Sequence, residues 1–351
     1  MRLKTDSTRK KQSCGIALES KPRIVVAGAG AIGCFVGGLL AAAGRSVTLL
    51  VRPRTAQDIR AYGLTLTDYA GLTQRVAADA LVLSEDPACL AGGDIVLVTV
   101  KSGDTTHIGN SIAAHAPEDA KIISLQNGTE NAQILQELMP NRDVRAGMVP
   151  FNVVPMGEGR FHRASSGDIV IGDGPGALTE ILSVAHLQVQ EDPEITSVQW
   201  GKFLINLNNA INALSGLTLQ AQLQDREWRK LMADQWAEAL GVLRAQNIRP
   251  KSTTPVGVGM IPWILRLPTP IFRRVAASML TIDAEARSSM SHDLIMGRGT
   301  EIDVLQGQVI RMGQEVGKAT PICALVAERV ADAEAKGAGL PNLPVTSLRA
   351  G

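Results

Sequence analysis

A glycine-rich turn that directly follows an apolar segment is the feature that most constrains the fold of this chain. Residues 24–27 are apolar and of strand type, and the turn Gly-Ala-Gly-Ala-Ile-Gly occupies residues 28–33. An Ala-, Leu- and Gly-rich stretch then runs to Ala43, followed by Gly44 and a second apolar run over residues 47–51. This order predicts strand, turn, helix and strand, which is a βαβ unit of about thirty residues.

The three glycines have the spacing of a dinucleotide-binding turn. Gly28 would permit the tight turn, Gly30 would let a pyrophosphate approach the backbone, and Gly33 would let the helix pack on the strand. The free N–H groups of Ala31 and Ile32 would face the anion. A packing turn without a ligand is the alternative, but the position between strand and helix favours the nucleotide. The predicted cofactor-binding residues of this turn are Gly28, Ala29, Gly30, Ala31, Ile32 and Gly33.

The residues after the second strand decide which dinucleotide fits best. A carboxylate there would bind a free ribose 2′-hydroxyl and favour NAD, but residues 51–54 read Val-Arg-Pro-Arg. Arginine binds a phosphate through paired, charge-assisted hydrogen bonds. The sequence therefore predicts NADPH, with Arg52 beside its 2′-phosphate. Surface solubility is the alternative role for both arginines, and it suits Arg54 better than Arg52.

Further short apolar runs predict the remaining strands of a parallel sheet. They cover residues 81–83, 95–100, 122–125 and 144–154, with helical or turn-rich stretches over 108–115 and 131–138 between them. Lys101 and Asn127 follow two of these runs directly. Ligands of such sheets bind at the carboxyl ends of the strands. Either residue alone would more often be solvated, but their shared placement predicts that both lie beside the cofactor.

Helical periodicity replaces strand patterns from about residue 195. Helices are predicted over residues 200–217, 226–246, 271–280, 301–316 and 321–336, with a proline-rich interruption over 250–270. The predicted fold is α/β, with an N-terminal doubly wound Rossmann-type sheet followed by an all-helical C-terminal domain. Its predicted parts are a disordered tail (1–21), an NADP-binding domain (22–194), a helical substrate and catalytic domain (195–338) and a second disordered tail (339–351).

The composition limits the partners of the chain. A net charge of +1 over 351 residues provides no global field for nucleic acid or for an acidic membrane surface. The longest apolar runs are far shorter than the ~20 residues that cross a bilayer. Four scattered cysteines without CxxC spacing indicate neither zinc nor a disulfide framework, and they favour a reducing cytoplasm. We therefore expect a small-molecule substrate, no nucleic acid, no membrane and no metal.

The predicted helix after Trp200 is too apolar for a surface helix, yet it carries a lysine and four asparagines. Lys202, Asn206 and Asn209 stand at i, i+4 and i+7, which places them on one helical face. A lysine beside neutral amides in a partly desolvated cleft would have a lowered pKa. The alternative is a structural lysine whose charged end reaches solvent, with asparagines that join helices.

A second polar cluster covers residues 288–293 and 297–303. Thr300 followed by Asp303 predicts a helix N-cap, with Glu301 in the first turn of that helix. Capping does not explain why serines, an arginine and a glutamate gather here, in a domain otherwise short of polar clusters.

Together these motifs resemble the 2-dehydropantoate 2-reductase (ketopantoate reductase) family over about residues 22–336. The glycine motif is shared by many dehydrogenases, whereas the motifs of the helical half are far more specific. The residues that carry the resemblance are Gly28-x-Gly30-x-x-Gly33, Arg52, Lys101, Leu125-Gln126-Asn127-Gly128, Trp200-Gly201-Lys202-x-x-x-Asn206, Ser288-Ser289-Met290-x-x-Asp293 and Arg298-x-Thr300-Glu301-Ile302-Asp303.

The resemblance implies NADPH-dependent reduction of 2-dehydropantoate to pantoate, in pantothenate biosynthesis. It implies that Lys202 is the general acid and contacts the substrate, and that Asn206 and Ser289 bind the substrate. It places Glu301 at the nicotinamide end, as a catalytic and cofactor-binding residue. It also places three residues along the NADPH site, namely Arg52, Lys101 and Asn127. Whether two copies of the chain form a homodimer stays open.

One departure from the family pattern bears on the substrate. Some members have a second substrate asparagine where this chain has Ala210, so we expect Asn209 to bind substrate in its place. A helix turns by about 100° per residue, so Asn209 would approach from another angle. The strand end at residues 148–152 also differs from the best-known members. The alternatives are a reductase of another branched 2-oxo acid and a non-catalytic NADP-binding redox sensor, although a sensor would not need Lys202 and Glu301.

Overall fold

A sheet of short apolar strands forms the centre of the N-terminal half. The computed structural model describes residues 21–252, 256–277 and 283–349, so residues 1–20 of the predicted N-terminal tail lie outside the described residues. The strands, in chain order, are β1 (Arg23–Ala27), β2 (Ser46–Leu50), β3 (Leu64–Asp68), β4 (Thr73–Val76), β5 (Val82–Ser84), β6 (Ile95–Val98), β7 (Lys121–Ser124), β8 (Val144–Met148), β9 (Val153–Gly157), β10 (Arg160–Arg163), β11 (Ile169–Gly172) and β12 (Val189–Asp192).

Helices pack on both faces of this sheet and then continue alone in the C-terminal half. They are α1 (Ala31–Ala42), α2 (Pro53–Tyr62), α3 (Thr105–His115), α4 (Asn131–Leu138), α5 (Leu178–Leu182), α6 (Ile195–Asn206), α7 (Asn208–Ser215), α8 (Leu219–Gln224), α9 (Arg226–Ala245), α10 (Ile261–Arg266), α11 (Thr269–Val275), α12 (Ser289–Ile295), α13 (Gln306–Glu315) and α14 (Pro321–Lys336). After residue 194, all the regular elements that the structure describes are helices.

The central sheet has the order β12-β11-β8-β7-β6-β1-β2-β5. The strands from β8 to β5 in this order are mutually parallel, whereas β11 pairs antiparallel with β8 at one side. Ile24 and Val26 of β1 lie in the core that contains α1, and Val25 and Ala27 lie in the opposite core, which contains α3. Burial on both faces explains why β1 is apolar throughout rather than alternating. The predicted α/β fold with a Rossmann-type sheet is confirmed.

A second sheet, in the order β4-β3-β10-β9, is absent from the sequence prediction. The single strand predicted over residues 144–154 is wrong, because the segment divides into β8 and β9, which belong to different sheets. Pro150 stands between them, and proline has no N–H group for a strand ladder. Leu64 and Leu66 of β3 pack on α1, so close to Gly38 that a Cβ there would lie 2.9 Å from Leu66.

The single helix predicted over residues 200–217 is also wrong, because the chain forms α6 and α7 with a turn at Leu207 between them. The Leu207 carbonyl accepts hydrogen bonds from Gln235 Nε2 (2.9 Å) and Gln306 Nε2 (2.8 Å). Side chains from α9 and α13 therefore take up a carbonyl that a continuous helix would bind internally. Gly216, in the left-handed conformation (φ 69°), ends α7.

Two further boundaries differ from prediction. Thr300 is not the N-cap of a helix over residues 301–316, since a 3₁₀ turn at Ile302–Val304 precedes α13. Instead the Thr300 N–H donates to Glu334 Oε1 of α14 (2.7 Å). The helix predicted over 271–280 overlaps α11, which ends at Val275, and residues 278–280 lie outside the described residues.

Residues 339–349, for which the sequence predicts a disordered tail, pack on the helical domain. Leu343 N–H donates to the Leu214 carbonyl of α7 (2.8 Å). Leu348 is fully buried in the core formed by α6, α7, α9, α13 and α14. Burial of such a leucine contributes roughly 1.5–3 kcal/mol, which favours order in this segment. Within the described ranges, none of the helices is both long and apolar enough to span a membrane.

Candidate active site

The glycine turn between β1 and α1 has the geometry of a phosphate cradle. Gly28 has φ 86°, and a Cβ there would overlap the Val100 side chain. A Cβ at Gly33 would lie 2.5 Å from Thr99 Oγ1, whereas the nearest atom to one at Gly30 would be 3.9 Å away. The turn is therefore closed at Gly28 and Gly33 by the residues that follow β6, but it is open at Gly30, which is where a ligand could approach the backbone.

The amides at the start of α1 remain available to such a ligand. The first hydrogen bond of the helix runs from Cys34 N to Gly30 O (2.8 Å), and Gly30 offers no side-chain cap. The N–H groups of Ala31, Ile32 and Gly33 therefore precede the helical ladder, at the positive end of the helix dipole. These residues fit the pyrophosphate of a dinucleotide.

Arg52 stands where the sequence places it, directly after β2 and at the N-cap of α2. Its side chain is 84% exposed, and Nη2 lies 3.0 Å from Asp104 Oδ2. Asp104 is at the N-terminus of α3, after β6. The sequence prediction did not anticipate this carboxylate, because 52 residues separate the two partners.

Lys101 connects the two halves of the molecule. Its Nζ donates to Asp293 Oδ1 of α12 (2.9 Å) and to the Gly299 carbonyl (3.1 Å). The side chain of Asp293 is only 15% exposed. The structure thus places Lys101 in a bond between the sheet domain and the helical domain, and its predicted contact with the cofactor stays a prediction.

Asn127 and Glu301 form a second bond between the two halves. Asn127 Nδ2 donates to Glu301 Oε2 (3.1 Å) across 174 residues of sequence. The Asn127 carbonyl accepts from Ser102 Oγ (2.9 Å) and from Asn131 Nδ2 (2.5 Å), which fixes the loop after β7. Glu301 is therefore held at the carboxyl end of the sheet, facing the loops that the sequence assigned to the cofactor.

The loops that carry these residues rest on a buried polar network that sequence reasoning missed. Gln126 Nε2 donates to Thr105 Oγ1 (2.7 Å), and Thr105 Oγ1 donates to Asn131 Oδ1 (2.7 Å). All three residues are buried. Their only signal in the sequence is that polar residues follow two apolar runs, which does not reveal that they meet.

Helix α6 is anchored tightly beside the loop that follows β8. Gln199 Nε2 donates to the Gly147 carbonyl of β8 (3.0 Å). A Cβ at Gly201 would overlap the Lys251 carbonyl, so only glycine allows this approach of the two segments. The glycine of the Trp-Gly-Lys motif therefore has a packing role that fixes the residue after it.

That residue, Lys202, points into the cleft between the two halves. Its Nζ donates to the Pro150 carbonyl (2.9 Å), and it makes no salt bridge with any described residue. Burial lowers the pKa of Lys202 to about 8. A neutral carbonyl does not offset the desolvation of the ammonium as a carboxylate would. The direction of the shift is the one the sequence predicts.

The cleft around Lys202 draws on both domains. Asn206, one helical turn after Lys202, is buried, and within the described ranges its side chain has no hydrogen-bond partner. Its amide lines the cleft instead of being enclosed in the core, so Asn206 is suited to a polar ligand. The residues that line the cleft are Gln126, Asn127, Gly128, Gly147, Met148, Val149, Gln199, Lys202, Phe203 and Asn206.

The structure brings Asn209 and Ser289 together, with Asn209 Nδ2 3.4 Å from Ser289 Oγ, and their predicted contact with the substrate stays a prediction. Asn209 belongs to α7, one turn beyond Asn206, and Ser289 begins α12. Ala210 is fully buried in the helical core, so its side chain faces away from the cleft. The position that departs from the family pattern thus belongs to the core of this chain.

The remaining asparagines of this region are structural. Asn208 exchanges two hydrogen bonds with Gln222 of α8 (3.0 and 3.3 Å). Asn212 Oδ1 accepts from Ser288 N and Ser291 Oγ, both at 2.9 Å, which joins α7 to α12. Two serines of the second polar cluster therefore serve packing. Among the described residues no group of three His, Cys, Asp or Glu side chains could hold a metal ion.

Two family models match this chain. "Ketopantoate reductase PanE/ApbA" matches residues 24–176, and "Ketopantoate reductase PanE/ApbA C terminal" matches residues 194–334. A 2-dehydropantoate 2-reductase of Halobacterium salinarum is 26% identical over 324 residues, which cover 90% of this chain and all of that protein.

Solved structures show the same likeness. A PanE/ApbA family ketopantoate reductase from Ralstonia eutropha has a TM-score of 0.76 and 29% identity, over 90% of this chain and 99% of that one. A D-mandelate dehydrogenase with bound NADH has a TM-score of 0.72 and 22% identity over the same shares, and this shows a common fold. With most of its length matched by the two models, the chain belongs to the ketopantoate reductase family of nicotinamide-dependent oxidoreductases.

Proposed function

We propose that this protein reduces 2-dehydropantoate to pantoate with NADPH, as a step of pantothenate biosynthesis. The observation that carries the proposal is the cleft between the domains. There Lys202, with a pKa of about 8, stands one helical turn before the unpartnered amide of Asn206. The names of the relatives support the same substrate.

Lys202 is the general acid in this proposal. A bound nicotinamide supplies a hydride to C2 of the 2-oxo acid. Lys202 Nζ gives its proton to the oxygen of that carbonyl as negative charge develops on it, so the C2 carbonyl becomes a secondary alcohol. With a pKa of about 8, the ammonium is mostly protonated at pH 7 and still releases its proton more readily than an exposed lysine.

The Pro150 carbonyl orients the acid. It accepts a hydrogen bond from Lys202 Nζ (2.9 Å) and so fixes the direction of one N–H, while two others remain for the substrate. Since the carbonyl carries no net charge, it holds the ammonium without raising its pKa as a carboxylate would.

Amides and a hydroxyl hold the substrate. Asn206 Nδ2 would donate to the carboxylate of the 2-oxo acid, and its position in the cleft lining, without a hydrogen-bond partner among the described residues, supports this role. Asn209 and Ser289 would hold the hydroxyl end of the substrate, each giving up its present partner for it. Glu301, oriented by Asn127, would accept from the cofactor ribose or support Lys202.

NADPH is proposed over NADH because of the end of β2. Residues 51–54 contain no carboxylate, and Arg52 offers an exposed guanidinium to a 2′-phosphate. The open approach at Gly30 and the amides of Ala31 and Ile32 support binding of the pyrophosphate.

A panel assay tests the proposal. NADPH oxidation is followed with 2-dehydropantoate and with other branched and aromatic 2-oxo acids, and we expect the highest kcat/KM for 2-dehydropantoate. A higher kcat/KM for another acid would favour the second candidate, a reductase of a different 2-oxo acid. The observation that favours this candidate is that a buried alanine, Ala210, stands where some family members have a substrate asparagine. No turnover with any acid, despite cofactor binding, would favour the redox sensor.

Cytoplasmic action is part of the proposal. The described cysteines Cys34, Cys89 and Cys323 are all free thiols, and Cys34 and Cys323 are buried. Burial raises the pKa of the Cys34 thiol to about 12, so this group is inert. Free thiols are typical of a reducing compartment.

A further inference from the structure

The guanidinium that we propose for the 2′-phosphate, that of Arg52, already forms an ion pair with a carboxylate of this chain. Arg52 Nη2 lies 3.0 Å from Asp104 Oδ2. Arg52 follows β2 and Asp104 follows β6, and these two strands are the neighbours of β1 in the sheet. The ion pair therefore bridges the two strand ends that flank the strand leading into the glycine turn.

The pair is weak enough for a ligand to open. Arg52 is 84% exposed and Asp104 48% exposed, and ion pairs in such surroundings contribute little because water screens them. A phosphate offers the same bidentate acceptor geometry as a carboxylate, with more charge. The Asp104 carboxylate and the 2′-phosphate would therefore compete for the same N–H groups of the Arg52 guanidinium.

Two further cations of the described residues lie near this edge, Lys101 and Arg54. Lys101, which also follows β6, is bound to Asp293 and to the Gly299 carbonyl. Arg54 is exposed on the first turn of α2, where the sequence favours a solubility role. The guanidinium that directly follows β2 is therefore balanced by one carboxylate, whereas Arg54, two residues further along the chain, makes no ion pair with a described residue.

We propose that Asp104 is a specificity-determining residue, whose carboxylate competes with the cofactor 2′-phosphate for Arg52 and so narrows the preference for NADPH over NADH. This inference rests on the cofactor site of the proposed function. NADPH must open the Arg52–Asp104 pair in order to bind its phosphate. NADH carries a free 2′-hydroxyl and can bind without opening it.

The test is the substitution Asp104→Asn, which removes the charge and keeps the shape of the side chain. Dissociation constants for NADPH and NADH are measured by cofactor fluorescence at one fixed ionic strength. We expect the Kd of NADPH to fall by about three- to fivefold, the range set by the loss of one exposed ion pair. The Kd of NADH should change by less than about twofold, since its binding leaves the pair closed.

Glu85→Gln is the matched control. Glu85 is a partly exposed carboxylate that pairs with Arg60 at 2.9 Å, in the same domain. Its substitution removes the same charge from the protein without touching Arg52, so the ratio of the two constants should not change. In an Arg52→Ala background, Asp104→Asn should no longer improve NADPH binding, because the contested guanidinium is gone.

An unchanged or weaker affinity of the Asp104→Asn variant for NADPH would overturn the inference, because Asp104 would then support Arg52 or act as a surface charge only. The readout is binding, so it stays decisive even if 2-dehydropantoate proves not to be the substrate. If Arg52→Ala alone weakens both cofactors equally, the 2′-phosphate assignment of the proposed function fails first, and the inference falls with it.

Discussion

At the scale of single residues, the proposed chemistry depends on one lysine, Lys202, which makes no salt bridge with any described residue. Lys202 has a carbonyl as its recorded partner, and burial lowers its pKa to about 8. Replacement by alanine should lower kcat by roughly 10²- to 10⁴-fold, the range for a positioned general acid. The Kd of NADPH should change little, because the cradle at the glycine turn lies on the other domain.

Steady-state kinetics and a cofactor titration on the same Lys202→Ala preparation check this prediction. Lys251→Ala is a suitable control, since Lys251 packs beside α6 but is exposed and bound to Asp192 (2.6 Å). A folded Lys202→Ala variant with near-normal turnover would show that Lys202 is structural.

The same residue predicts the pH dependence of the reduction. The acid must be protonated to act, so the rate constant kcat should be constant at neutral pH and should decline as pH rises through about 8. The lowered pKa sets this window, since an ordinary lysine would sustain the rate to about pH 10. A kcat profile in the direction of reduction, measured from pH 6 to 10, would contradict this assignment if it stayed flat.

At the scale of elements, the break between α6 and α7 lies between two asparagines that the proposed function assigns to the substrate. Asn206 faces the cleft, and Asn209 meets Ser289 beyond the break. Asn209→Ala should raise the KM for 2-dehydropantoate by about tenfold or more, since a hydrogen bond to a polar substrate contributes roughly 1–1.5 kcal/mol. Asn206→Ala should raise KM at least as much.

Asn208→Ala separates substrate binding from folding. Asn208 exchanges hydrogen bonds with Gln222, whose Oε1 also accepts from Asn212, so the substitution leaves the buried Gln222 Nε2 without its acceptor and should lower the free energy of unfolding by about 1–3 kcal/mol. The KM of the Asn208→Ala variant for 2-dehydropantoate should equal that of the unchanged protein. Steady-state kinetics measure the KM, and a denaturant titration measures the loss of stability. If Asn209→Ala leaves KM unchanged while Asn206→Ala raises it, the chain uses fewer amides than proposed, and another 2-oxo acid becomes the better substrate.

Elements with local signals could be predicted from the sequence, and elements defined by distant contacts could not. The strands around the glycine turn are recognisable in the sequence as apolar runs. The helical spacing of Lys202 and Asn206 predicts that both lie on one face of a helix. The sheet of β3, β4, β9 and β10 was missed because its strands are short, partly polar and paired across about 90 residues. The turn at Leu207 was missed because its cause, Gln235 and Gln306, lies on two later helices.

At the scale of the whole molecule, several polar bonds join the domains, and two of them are made by predicted cofactor-binding residues, Lys101 to Asp293 and Asn127 to Glu301. Neither could be predicted as a pair, because 192 and 174 residues separate the partners. The Lys101 bond holds a carboxylate, Asp293, whose side chain is only 15% exposed. It therefore offers the clearer test of whether contact between the domains supports turnover.

Lys101→Ala and Asp293→Ala should each lower kcat/KM, and a double-mutant cycle decides how. If Lys101 acts by holding the domains together, the two single losses should be similar, and the double variant should lose little more, with a coupling free energy of about 0.5–3 kcal/mol. If Lys101 acts by binding the cofactor instead, only Lys101→Ala should raise the Kd of NADPH, and the two effects should add. Kinetics and cofactor titrations of all four proteins separate the two roles. A contact between the domains predicts coupling of the two substitutions in kcat/KM. A contact with the cofactor predicts weaker NADPH binding in Lys101→Ala that Asp293→Ala does not share.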